Sequence, residues 1–240
     1  MIECSNLSIR YGEIVAVDQL NMMINRGEAV TVVGESGCGK TSLLHAVAGL
    51  LQPWGGSVQV GGSIVADMRE GTAIILQEDG LFPWKNIRDN VAIARLHQGI
   101  ELKECYEQVD MILDELGILH LKEMYLNQVS GGQRQRVAIA RSLIQGPDVL
   151  LMDEPTGALD MISKERFQDT LHSLYARHEM TSITVTHDIE EAVYLGMKIV
   201  VMKEGHILEV VANPYYGEAG IRDDIRFYEL CLKVRQVMKS

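Results

Sequence analysis

The chain has 240 residues, 47% of them hydrophobic, and a formal net charge of −11. That length fits one α/β core with a smaller attached subdomain, and that apolar content excludes a disordered chain. The acidic balance opposes long-range attraction to DNA, RNA or anionic lipid, yet leaves room for a small anion in a local pocket.

The opening stretch MIECSNLSIRYGE has neither a basic start nor an apolar core, so no signal peptide is expected. Cys4, Cys38, Cys105 and Cys231 stand far apart without a C-x-x-C pair, which points to a reducing compartment rather than to disulfides or zinc. AVTVVG, Ala29–Gly34, reads as a buried strand. The loop GESGCGKTS follows, and then the helix TSLLHAVAGLL. No Asp, Glu, Lys or Arg occurs from Thr41 to Ala66, but QPWGGS interrupts that run, so no membrane-spanning helix of about 20 apolar residues is expected. AIILQ, Ala73–Gln77, reads as a second strand, and LFPWKNIRDNVA, Leu81–Ala92, follows it.

From about Asn86 to Gln128 the pattern is helical and contains no strand, as in IRDNVAIARLHQ and ELKECYEQVDMILDELGI. A helical subdomain inserted into the core is expected. QVSGGQRQRVAIARS places Ser130-Gly131-Gly132 before another helix. DVLLMDE, Asp148–Glu154, and TSITVTH, Thr181–His187, read as buried strands, and KIVVMKEGHILEV as strand, turn and strand. Helices between strands favour a largely parallel, covered sheet. The tail IRDDIRFYELCLKVRQVMK is expected to be a terminal helix with Ile221, Ile225, Tyr228 and Leu232 on one face.

Gly34-Glu35-Ser36-Gly37-Cys38-Gly39-Lys40-Thr41, followed by Ser42, matches G-x-x-x-x-G-K-[ST] between a strand and a helix. Glycines let backbone N–H groups turn around phosphate oxygens, and the helix N-terminus adds positive potential. Lys40 is expected to reach β/γ phosphates and the Thr41 hydroxyl to bind Mg²⁺. Cys38 sits inside the loop and reads as a tolerated small residue rather than a chemically active one. Asp153 and Glu154 end a buried strand and point to opposite faces, so the two can divide the work: Asp153 on Mg²⁺, Glu154 as general base on the attacking water. The plainer reading of the pair is a helix cap before Pro155. His187 and Gln77 also end strands; His187 could contact the γ-phosphate, and Gln77 could touch Mg²⁺ and water. Arg134, Arg136 and Arg141 read as a solvated or salt-bridged helix face rather than a phosphate patch.

In this order the elements resemble the ATP-binding cassette (ABC) ATPases, from Leu7 to about Leu208. Gly34–Thr41 resembles the Walker A loop, Gln77 the Q-loop, Ser130-Gly131-Gly132-Gln133 the signature, Val149–Glu154 Walker B, Ala158-Leu159-Asp160 the D-loop and His187 the switch histidine. Tyr11, by itself a strand residue, matches the aromatic that stacks on adenine. The resemblance implies an α/β P-loop NTPase core with a mostly parallel sheet, an antiparallel β subdomain and an inserted helical subdomain. It implies one domain over residues 1–240, with core at about 1–85 and 145–215, helical subdomain at about 86–144 and terminal helix at about 221–239. It also implies ATP and Mg²⁺ as ligands. Two copies would pair head to tail, each signature capping the ATP on the other's Walker A. Val129 stands where the family usually has Leu, and Gly157 where Ser is commoner.

Leu81–Ala92 resembles importers of nitrate, sulfonates, taurine and related solutes. Leu81, Phe82 and Trp84 could form a groove for the helix of an integral-membrane permease; alternatively, Trp84 packs the helical subdomain. An importer ATPase on the cytoplasmic face of the membrane is expected, with a solute-binding protein as indirect partner and no nucleic acid. No C-terminal regulatory domain is expected. An exporter cassette, an ABC clamp of DNA repair or translation, and a regulatory cassette that binds without hydrolysing remain as alternatives. The first is often fused to its membrane segments, the second needs a long coiled coil or two cassettes, and the third would lack Glu154 or His187.

Overall fold

The computed structural model describes residues 1–77, 80–96, 99–157 and 159–240. It opens with strands β1 (Ile2–Tyr11), β2 (Ile14–Ile24) and β3 (Ala29–Gly34), then helix α1 (Lys40–Ala48). Strands β4 (Gly55–Val60), β5 (Ser63–Ile64) and β6 (Thr72–Ile75) follow. Helices α2 (Ile87–Leu96), α3 (Leu102–Glu115) and α4 (Gly131–Leu143) come before β7 (Val149–Asp153). The chain then runs through α5 (Met161–His178), β8 (Thr181–Thr186), α6 (Ile189–Leu195), β9 (Lys198–Lys203) and β10 (His206–Ala212) to α7 (Ile225–Lys239).

Six strands form a sheet in the order β10-β9-β3-β8-β7-β6, parallel except for the β9–β10 hairpin. β3, β7 and β8 are buried along their whole length. Their mainly apolar and β-branched composition is what two covered faces demand. Alternate residues of β7 serve opposite layers: Val149 and Leu151 cluster with Leu43 and Leu44 of α1, while Leu150 and Met152 cluster with Phe167 and Leu171 of α5. Parallel register pairs Val33 with Thr186 and Asp153 with Val185, so the loops after β3, β7 and β8 leave one edge together. A second, antiparallel sheet has the order β2-β1-β4-β5 and buries Leu7, Ile9 and Val17 against the α1 side of the core.

Two expectations need correction. The first helix ends at Ala48 rather than Leu51, because Gly49 turns left-handed at φ 77° and donates to Ala46 and His45 carbonyls. The terminal helix packs a different face. Phe227, Leu230, Cys231 and Val234 are buried, whereas Ile225, Tyr228 and Leu232 are exposed and Ile221 precedes the helix in a short 3₁₀ turn. The tail carries two apolar stripes of similar period, and the one that meets Ile199 and Val201 of β9 became the core.

Phe227→Ala should therefore cost roughly 3–5 kcal/mol of stability in chemical denaturation. Leu232→Ala should cost less than about 0.5 kcal/mol; similar losses for the two would mean that both stripes are packed.

Candidate functional site

The loop between β3 and α1 wraps the side chain of Lys40. Its ammonium is buried and donates to the Gly34 and Glu35 carbonyls, both at 2.8 Å. Gly39 sits at φ 103°, and a Cβ there would stand 2.1 Å from the Ala16 carbonyl oxygen, so only glycine fits this close approach. Ser36, Gly37, Gly39, Lys40, Thr41 and Ser42 line a cavity of about 350 Å³ together with Tyr11 and Glu154. The Tyr11 hydroxyl lies 3.3 Å from Ser42 Oγ, with the ring half exposed at the mouth. Gly34, Glu35 and Cys38 do not line this cavity. Cys38 is buried in the core, its Sγ 3.8 Å from Lys40 Nζ.

The Thr41 hydroxyl donates to Asp153 Oδ1 at 3.2 Å. Burial pushes the Asp153 carboxyl above the usual carboxylate range. A hydroxyl and a carboxylate converging beside a phosphate loop are hard oxygen donors of the kind Mg²⁺ takes when phosphates complete its shell. Glu154 leaves the strand with φ 48°, a left-handed conformation that costs a non-glycine residue about 1–2 kcal/mol. Its N–H donates to the Val185 carbonyl at 2.9 Å, which anchors the turn to β8. Glu154 Oε1 lies 3.1 Å from His187 Nδ1. His187 lines a smaller cavity that shares Glu154 with the first. Gln77 is exposed two residues beyond the end of β6 and lines neither cavity.

The second glycine-rich stretch stands apart from this cluster. Ser130 Oγ accepts from the Gln133 N–H at 3.3 Å, and Gln133 Oε1 accepts from the Ser130 N–H at 2.8 Å, a reciprocal cap on α4. Ser130, Gly131, Gly132 and Gln133 line neither cavity. Asp160 is exposed and caps α5 by accepting from the Ser163 N–H at 3.0 Å. Ala158 lies outside the described residues. Arg136 and Arg141 donate to the Leu116 and Gly80 carbonyls, so these two brace the helical segment.

The ABC transporter family matches residues 17–157. The chain belongs to that family. Its members are ATPases that bind ATP, and this cassette is one of them. The Escherichia coli K12 taurine import ATP-binding protein TauB is 38% identical over 205 residues, 85% of this chain and 80% of that protein. A putative ATP-binding protein of Brucella abortus is 41% identical over 225 residues, 92% and 86% of the two chains. Among solved structures, cbiO1 from Clostridium perfringens, part of the ABC transporter complex cbiONQ, covers 98% of each chain with a TM-score of 0.83 and 28% identity. A dimeric cassette bound to ADP and Pi covers 88% of this chain and 98% of its own, with a TM-score of 0.79 and 28% identity.

Behind the Glu154–His187 pair this cassette has a polar network that sequence reasoning missed. Glu191 is buried, its Oε1 accepting from Thr156 Oγ1 and its Oε2 from Thr186 Oγ1, each at 2.5 Å. The only signal was an acid three residues after Asp188, the spacing of a solvent-facing capping box.

Asp153 yields a prediction with a definite sign. Burial raises its folded-state pKa above the unfolded value, so the ionised carboxylate costs stability above that pKa and the cost is relieved as pH falls through it. Asp153→Asn keeps an acceptor for Thr41 and removes the charge. The nucleotide-free variant should melt higher than wild type at neutral pH, and the gap should close on acidification; a lower melting point at neutral pH would contradict this.

Proposed function

We propose that this cassette is the ATP-hydrolysing subunit of an importer for a small solute of the nitrate, sulfonate or taurine class. The observation that carries the hydrolytic part is the position of Glu154, at the rim of the phosphate-loop cavity and 3.1 Å from His187, while the likeness to the taurine import ATP-binding protein supports the importer part. There a carboxylate can take a proton from water attacking the γ-phosphate, while His187 orients the carboxylate and contacts the same phosphate. Lys40 offsets β/γ-phosphate charge, and Gly34–Ser42 offers backbone N–H groups. Thr41 and Asp153 would hold Mg²⁺, with Gln77 reaching it once nucleotide is present. Bound Mg²⁺ would neutralise phosphate charge. Tyr11 stacks on adenine.

On this reading a second copy of the chain pairs head to tail, and its Ser130–Gln133 and Asp160 complete each ATP site. That Ser130–Gln133 line neither cavity of their own chain supports this. The permease docks at Leu81–Ala92. Buried Asn90 accepts from the Phe82 N–H and donates to the Phe82, Lys85 and Asn86 carbonyls, so the loop is held from within. Its tip presents Phe82 and Trp84 with ring centroids 5.4 Å apart, and Trp84 is 71% exposed. Exposure at that level favours a partner contact over subdomain packing. Among the described residues no helix is long and apolar enough to cross a membrane, in keeping with peripheral attachment at the cytoplasmic face. A solute-binding protein would act only through the permease. We read the chain as a single cassette domain, with α2–α4 as its helical subdomain.

Glu154→Gln should bind ATP within about threefold of wild type but lose hydrolysis by at least about 100-fold, because an amide cannot take the proton. Dimers should then accumulate with ATP in gel filtration, and a monomer that still turns over would defeat the reading. Trp84→Ala should leave the ATPase activity of the isolated chain within about twofold and weaken co-purification with the permease. A collapse of soluble activity would make Trp84 a packing residue.

A further inference from the structure

Glu191 is 2% exposed and lies behind the smaller cavity that Glu154 and His187 line. Its two oxygens join the two loops that carry Glu154 and His187. Thr156, two residues after Glu154, donates to Oε1; Thr186, one residue before His187, donates to Oε2. Gln168 Nε2 of α5 approaches Oε1 at 3.5 Å. Thr186 Oγ1 also accepts from the Asp188 N–H at 3.0 Å, and Asp188 Oδ1 accepts from the Glu191 N–H at 3.1 Å. The carboxylate, the switch loop and the start of α6 therefore form a closed ring. As a packing device this is a poor choice, because a buried carboxylate must be desolvated and an apolar side chain of similar volume need not be. What the carboxylate adds is direction: two charge-assisted O–H···O bonds to two separate loops.

We propose that Glu191 is a positioning residue for ATP hydrolysis, whose carboxylate locks the Glu154 turn to the His187 loop. The inference rests on Glu154 being the general base. Glu154 is held in a left-handed conformation, and such strain persists only where surrounding bonds over-determine it. The backbone bonds from Glu154 to Val185 and from Gly157 to Glu154 fix the near side of the turn. Thr156 fixes its far side, and Thr156 is anchored on Glu191. Cutting that anchor lets the base drift from the attacking water while the phosphate loop, on a different segment, keeps its grip on nucleotide.

The test is steady-state Mg-ATP hydrolysis by Glu191→Ala, Glu191→Gln and Glu154→Gln, with thermal melts as the folding control. Glu191→Ala should lower kcat roughly 10- to 100-fold, the cost of a misplaced catalytic group, with KM within about threefold. Glu191→Gln should recover most of that loss, since its amide accepts from one threonine and donates to the other. A folded Glu191→Ala with wild-type kcat overturns the proposal, as does a rise in KM matching the fall in kcat, or a loss that glutamine leaves unrescued. If Glu191→Ala does not fold, Thr156→Val and Thr186→Val decide: both remove a donor at nearly constant shape, and Thr186→Val also removes the acceptor of the Asp188 N–H. Lowered kcat at unchanged KM supports the proposal, and wild-type kcat in both overturns it. Glu154→Gln at the wild-type rate would sink the base assignment and this proposal with it, whereas an inactive Glu154→Gln beside an unaffected Glu191→Ala sinks only the proposal.

Discussion

A buried ammonium with no ion pair to a carboxylate among the described residues governs the site. Among the described residues Lys40 has only the Gly34 and Glu35 carbonyls and the Cys38 sulfur within bonding distance of its Nζ. Taking a cation out of water costs several kcal/mol, and carbonyl dipoles return only part of it. The balance is best met by an anion arriving from outside, and the loop is shaped for one. This local demand must overcome a net charge of −11. It can, because charges more than about 8 Å away are largely screened at physiological salt while a half-buried phosphate pocket is not.

The parallel sheet converts that demand into a catalytic arrangement. β3, β8 and β7 are neighbours in register, so the lysine loop, the histidine loop and the acidic turn start from one edge. Rigid strands can place these starting points, but they cannot alone aim the side chains. The left-handed backbone at Glu154 and the two threonine bonds to Glu191 do that, and both carry a local cost in strain or desolvation. Stability is given up at the point where direction matters most.

The features legible in the sequence were those set by short-range pattern. Val149–Asp153 reads as a buried strand through its four apolar residues, and Thr181–Thr186 through Ile183, Val185 and its β-branched threonines. Asp153 and His187 could be placed at the strand edge for the same reason. Features decided by contacts between distant segments were not legible. Ile225, Tyr228 and Leu232 form as regular a stripe as Phe227, Leu230 and Val234, and only the partner surface of β9 and β10 chose between them. Cys38 lies within the loop motif, yet its side chain faces the core, because Gly34 leaves space beneath the turn. Glu191 looked like an ordinary helix-start acid until the fold brought Thr156 to it across 35 residues.

The second glycine-rich stretch raises the question of what keeps two such chains apart. Ser130 and Gln133 are satisfied by capping each other, so the first turn of α4 is ordered before any phosphate arrives. In the proposed head-to-tail pair, closure therefore needs little ordering of the signature. Bringing two acidic chains together would add a cost, one that salt screens. ATP would contribute contacts to both chains at once and would favour the closed state by the difference in its affinity for the two states. Cleaving the γ-phosphate would remove the group both chains hold, leaving like-charge repulsion to open the pair. On that reading an acidic surface, which at first argues only against nucleic acid, would also favour the open pair at low salt.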